Sequence, residues 1–109
     1  MIRLPMPPST NNLFANSKKG GRHMTAHYKA WRADAGYKLL AQRPEKLKGD
    51  VILSLRFGPR IPNADVTNRI KAVEDLLVEL RVIEDDRFVV QCNAGWAAVE
   101  GCEVEVTHA

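Results

Sequence analysis

A chain of 109 residues can bury one hydrophobic core, but not two, so a single domain over residues 1–109 is expected. With 45% hydrophobic and 27% charged residues the composition excludes the disordered and fibrous classes, and no apolar run reaches the length of a secretory signal or a membrane span, so a soluble cytoplasmic protein is expected. The net charge of +3 hides a division: Met1–Arg60 carries twelve Lys and Arg against three Asp and Glu, and Ile61–Ala109 carries four against ten.

Ile2, Leu4 and Met6 alternate up to Pro7-Pro8, which predicts a short first strand stopped by prolines. Ser9–Asn12 suits a turn or a helix cap. Asn16–Arg22, NSKKGGR, has no apolar residue and reads as an exposed, mobile loop able to reach a phosphate backbone. Thr25 is an N-cap candidate, and Tyr28, Trp31, Ala35 and Leu39 recur at helical steps until Pro44, predicting a helix from about Ala26 to Gln42. Its Lys29, Arg32, Lys38 and Arg43 are either a solvated face or a contact to DNA.

Asp50–Phe57 alternates with period two and reads as a strand. After the turn GPRIPNA, a second helix is expected from Asp65 to Leu80, with Ile70, Val73, Leu76, Leu77 and Leu80 as its core stripe. Arg81–Asp86 breaks that pattern. A strand starts at Phe88–Gln91 and runs to Trp96, and Cys102–Thr107 forms a last strand with one wet face. The order β-α-β-α-β-β predicts an α/β (α+β) domain, a small mixed sheet of about four strands packed with two main helices. Cys92 and Cys102 lack any CxxC or Cys/His cluster, which gives no zinc pattern, and both are expected to be reduced and buried.

The charge division has two readings. Either a basic surface draws in phosphates beside a local acidic cluster, or the two halves neutralise each other in the fold. Asp65, Asn68 and Lys71 stand at three-residue steps, so they can share one rim of the second helix. Glu84, Asp85 and Asp86 follow that helix, and if the next strand packs beside it, Asp86 returns toward the helix start. Clustered carboxylates repel unless a cation compensates, and a hard divalent metal with oxygen ligands does so while serving phosphodiester hydrolysis. Lys71 then adds positive charge for the transition state. Each residue also has a structural role open to it. Asp65 is a good N-cap, Asn68 an ordinary first-turn residue, Lys71 a partner for Glu74 or Asp75, and Glu84-Asp85-Asp86 a solvated turn. His23 and His27 have a spacing that can bind metal but no third ligand nearby, and no phosphate loop or nucleotide fingerprint is present, so no nucleotide cofactor is expected.

The segment D-V-T-N-R-I-K from Asp65 to Lys71, followed fourteen residues later by Asp85-Asp86, resembles the RusA family of Holliday junction resolvases, whose pattern is D-x-D-N-x-x-K and then D-D. L-P-M-P-P-S-T-N-N from Leu4 to Asn12 is similar to that family's opening strand and turn, so the resemblance spans nearly the whole chain. It implies a homodimeric α/β endodeoxyribonuclease that binds four-way junctions and related branched DNA in recombination and repair, and makes paired nicks with Mg²⁺ or Mn²⁺. Position by position, Asp65 and Asp86 match metal-binding catalytic aspartates, Lys71 the catalytic lysine, Asp85 the neighbouring acid that joins the metal set, and Asn68 the motif asparagine. Lys18, Lys19, Arg22, Lys29, Arg32 and Arg69 are the candidate DNA contacts. Thr67 departs from the pattern by standing where a second aspartate is usual. A hydroxyl is a weaker ligand, so either Asn68, Asp85 or Glu74 makes up the set, or the protein binds branched DNA with little or no cleavage.

Overall fold

A computed structural model describes residues 1–16 and 20–109. Its order is β1 (Ile2–Leu4), β2 (Phe14–Asn16), β3 (Arg22–Met24), α1 (Ala26–Ala41), β4 (Val51–Gly58), α2 (Ile70–Glu79), β5 (Val89–Trp96) and β6 (Gly101–His108), with 3-10 turns at Thr10–Asn12, Val66–Arg69 and Asp86–Phe88. The sheet runs β1-β6-β4-β5, mixed as expected: β5 is parallel to β4, while β6 is antiparallel to both β4 and β1. Two helices and four strands match the expected class. The addition is the β2–β3 hairpin, whose strands flank the expected Asn16–Arg22 loop and take in its two end residues.

The core forms because β4 turns Val51, Leu53, Leu55 and Phe57 to one side, while the partners they meet on β6 include Cys102 and Val104. Onto that face pack Ala72, Val73, Leu76 and Leu77 of α2 and Tyr28, Trp31, Ala35 and Leu39 of α1. The opposite face is polar, and there Glu103 of β6 sits between Arg3 of β1 and Arg56 of β4, at 3.6 and 3.3 Å. At Gly58 any side chain would strike the carbonyls of Ala97 and Val99, so glycine lets the β5–β6 connection close over the end of β4.

Thr25 caps α1 as expected: its hydroxyl accepts from the Tyr28 N–H at 3.2 Å and donates to the Asn12 carbonyl at 2.7 Å. At the far end, the side chain of Gln42 accepts from the Arg3 N–H at 2.8 Å and donates to the Arg3 carbonyl at 2.7 Å, completing the outer edge of β1. The second helix differs from its expected span. Residues 66–69 are a 3-10 turn, Asp65 makes no side-chain cap, and the α-helix begins at Ile70. It ends with Arg81 at φ 62°, where the Arg81 N–H donates to Val78 and the Val82 N–H to Leu77, an ending in which glycine is the usual residue.

Candidate active site

The acidic turn after α2 is divided by its hydrogen bonds. Glu84 turns away, its carboxylate accepting from the Gly49 N–H at 2.6 Å. Asp85 caps the following 3-10 turn by accepting from the Arg87 N–H at 3.1 Å. Asp86 is exposed. With Asp75, Val78 and Glu79, Asp85 and Asp86 line an open cleft of about 390 Å³. The backbone N–H of Arg87 and the Asp86 side chain hold Asp85 below the usual carboxylate range, and their shared hydrogen bond, then burial and Asp85's charge, push Asp86 above it. The pair therefore gives up its two protons in separate steps.

Glu74 and Asp75 extend this cluster from α2. Asp75 lies 3.3 Å from the Lys71 ammonium, so the lysine is paired within its own helix, one of the roles open to it from its spacing. Burial, then Asp86 and Asp75, push the Glu74 carboxyl up, and Lys71 partly offsets them. A carboxyl raised in the fold prefers its protonated form there, so ionising it opposes folding as pH rises through its folded value. Glu74→Gln should therefore melt higher than the parent at pH 7, by roughly 1–3 °C, and the difference should vanish as pH falls below the ordinary carboxylate range. Thermal melts across that range check both parts.

Asp65 stands elsewhere in the chain. It lines a second cleft of about 290 Å³ with Ser9, Asn11, Asn63, Ala64, Asn68 and Arg69. Asn63, at φ 63°, supplies the left-handed turn that leads into it. Two bonds tie this segment to the N-terminal turn: the Arg69 guanidinium donates to the Pro7 carbonyl at 2.9 Å, and the Thr10 hydroxyl to the Asn68 carbonyl at 3.1 Å. The two sequence motifs thus dock on each other. Thr67 is exposed on the 3-10 turn between the clefts' helix and Asp65. Among the described residues, no three or more His, Cys, Asp and Glu side chains form a group able to hold a metal ion.

Of the basic residues proposed for DNA, Arg22 and Lys29 are exposed, with the Arg22 guanidinium 5.0 Å over the Phe14 ring. Arg32 is engaged inside the protein, paired with Glu79 of α2 and stacked over Tyr28 at 5.6 Å. Arg69 is half-buried against Pro7, and its Nε is buried without a partner. Lys18 and Lys19 lie outside the described residues, as does the middle of the loop assigned to them. The sequence reading missed Lys46, Lys48 and Arg81, which with Leu47, Val78, Glu79 and Glu84 line a hollow of about 590 Å³. That hollow adjoins the acidic cleft through Val78 and Glu79. Their scattered positions in the sequence gave no signal. Cys102 is buried, with its thiol pushed up to about 12, but Cys92, on the edge strand β5, is exposed, against expectation.

The architecture is a mixed α/β domain carrying a cleft of paired carboxylates beside exposed cations, an arrangement suited to a protein that handles phosphodiesters. Residues 5–107 match the family model described as Endodeoxyribonuclease RusA, and the chain belongs to that family. No curated protein gave a match. Among the described residues, no helix is long and apolar enough to cross a membrane.

Proposed function

We propose that the chain is a structure-selective endodeoxyribonuclease that resolves Holliday junctions and related branched DNA as a homodimer. The observation that carries this reading is the open cleft in which Asp85 and Asp86, the residues that the sequence resemblance assigns to the acidic pair, meet Asp75. The donor set there consists of carboxylate oxygens, and the charges of Asp75, Asp85 and Asp86 add to the raised proton affinity of Glu74 and Asp86, which suits a hard divalent cation such as Mg²⁺ or Mn²⁺. Asp86, Asp85 and Asp65 would hold it, and a bound divalent cation lowers the pKa of water and offsets charge on the leaving oxygen. Because Asp65 opens on a different cleft from Asp85 and Asp86 within one chain, a site using all three draws Asp65 from the second protomer.

The remaining parts act through this chain's own side chains. Asp75 holds the Lys71 ammonium at the cleft's edge, where it can face a phosphate oxygen as negative charge builds. Lys46, Lys48 and Arg81 line the adjoining hollow and can carry the strand leaving the cleft, while Arg22 and Lys29 offer further phosphate contacts. A second reading, a branched-DNA-binding protein with weak or no cleavage, rests on Thr67, whose exposed hydroxyl replaces a carboxylate.

A synthetic four-way junction with Mg²⁺ or Mn²⁺ tests both. Paired nicks in the junction, with an unbranched duplex left uncut, are expected, together with affinity that falls steeply with salt. Tight binding without nicks, reversed by Thr67→Asp, would establish the second reading. Absence of both binding and nicks would end the nuclease proposal.

A further inference from the structure

We infer that the basic hollow beside the acidic cleft is a second phosphate-binding site, filled by a strand that bends as it leaves the cleft, and that Arg81 makes this site selective for branched DNA. The inference deepens the nuclease reading above and rests on it. The hollow, of about 590 Å³, is built by long-range pairing. Leu47 is buried, donates its N–H to the Val82 carbonyl at 2.9 Å and pairs in parallel with Ile83. Side chains of extended backbone alternate, so Lys46 and Lys48 both turn away from the core, beside Arg81. All three cations are exposed, and among the described residues none of them forms an ion pair. The two carboxylates that line the hollow are already engaged, Glu79 by Arg32 and Glu84 by the Gly49 N–H.

Arg81 stands against its backbone. At φ 62° it occupies the left-handed position where a helix usually ends in glycine, and a side chain there costs stability. No ion pair inside the described chain offsets that cost, so the residue fits a role toward something outside it. Arg43 follows α1 in the same conformation, at φ 51°, but shares its hollow with Glu45 and Glu105, which leaves no surplus of positive charge there.

The place of the hollow decides which DNA reaches it. Val78 and Glu79, in the last turn of α2, line both the hollow and the acidic cleft, so the two share one wall. A strand whose scissile phosphate lies against the carboxylates reaches the cations only by bending over that wall. In a linear duplex such a bend deforms the helix and costs energy, whereas at a branch point the strands have already left one helix axis for the next. Branched DNA therefore makes the contact with Lys46, Lys48 and Arg81 in full, and a duplex makes it only in part. Arginine suits the turn because its guanidinium can hold two oxygens of one phosphate.

Binding tests this site apart from cutting. Affinities of the full chain for a four-way junction and for a duplex of the same arm sequence are compared with Ca²⁺ in place of Mg²⁺. Arg81→Gly should melt roughly 4 °C or more above the parent, because glycine suits the left-handed position. It should nevertheless bind the junction about tenfold more weakly, with a salt slope smaller by about one, while duplex affinity changes less than about twofold. Arg81→Lys keeps the charge and the backbone cost, so it should lose less than about threefold on the junction and melt with the parent. Lys46→Gln combined with Lys48→Gln, both at exposed positions, should repeat the selective loss by a second route. An unchanged junction preference in both Arg81→Gly and the lysine variant overturns the inference and leaves the nuclease reading intact, as does an equal loss on junction and duplex, the sign of general attraction alone. A wild-type protein without preference for the junction removes both. Selective loss as expected, in a protein that makes no nicks with Mg²⁺ or Mn²⁺, upholds the site and removes the nuclease reading.

Discussion

Co-expressed Asp65→Asn and Asp86→Asn chains are expected to nick a four-way junction, although neither variant does so alone. Each substitution keeps the shape of the side chain but removes one anionic oxygen, and loss of such a group from a phosphoryl-transfer site lowers the rate by about two orders of magnitude or more. Junction binding should survive in both, since each change also removes a negative charge that repels DNA. If the chains exchange freely, half the dimers are mixed, and each mixed dimer has one place where an intact Asp65 meets an intact Asp86. The mixture should recover roughly a quarter of the wild-type rate of single nicks, without the paired cuts that release two duplexes. A mixture as inert as its parts would mean that the site lies within one chain. In that case Glu74, Asp75, Asp85 and Asp86 are its components, and Asp65 serves only to shape the turn it begins.

Phe57→Ala is expected to be the most damaging single change in the fold. Phe57 is fully buried, its ring meets Trp96 edge-on at 6.4 Å, and its backbone carbonyl accepts from the Ala97 N–H at 2.8 Å. Removing the ring leaves a cavity beneath the strand that pairs with both β5 and β6, so neighbouring side chains cannot close it without disturbing one of those ladders. A loss of about 3–5 kcal/mol follows, a large part of the stability of a domain this size, and Tm should fall by roughly 15 °C or more. Urea unfolding measures it directly. A loss below about 1 kcal/mol would mean that the core repacks far more freely than its close packing implies.

The strands and helices with strong periodicity were legible. β4 and β6 follow from alternation, β5 from the apolar start at Phe88 after the helical pattern breaks, and α1 from its cap, its three- and four-residue steps and Pro44. The β2–β3 hairpin was not, because three-residue strands are too short for alternation to stand out, and what fixes them is bonding to the rest of the chain, such as the Thr25 N–H to Leu13 at 3.0 Å. The start of α2 was misread because Asp65 has the chemistry of a cap, yet its side chain opens into a cleft instead. Its end carried no glycine signal, since Arg81 occupies the left-handed position.

The candidate site was legible as a set of residue types and only partly as an arrangement. Asp85 and Asp86 could be named from their place after the helix, but that Glu84 leaves the group depends on Gly49, thirty-five residues away. Glu74 and Asp75 were legible as partners for Lys71, and Glu74 as a substitute ligand, but their grouping with Asp86 was not. Arg32 and Arg69 seemed free for DNA because their partners, Glu79 and the Pro7 carbonyl, come from distant segments. What the sequence withheld is long-range pairing, which no local pattern encodes.

The sheet order has a consequence for synthesis. β4 sits between β5 and β6, and β1 can pair only with β6, the strand that leaves the ribosome after all the others. Until β6 emerges, β4 keeps one ladder unfilled and β1 has nowhere to dock, so the nascent chain holds exposed apolar strands that invite aggregation or chaperones. Closure then joins the two most distant strands in a late, non-local step that slows folding. The four-stranded sheet, and the clefts built on it, are thereby kept from assembling until β6 has been made.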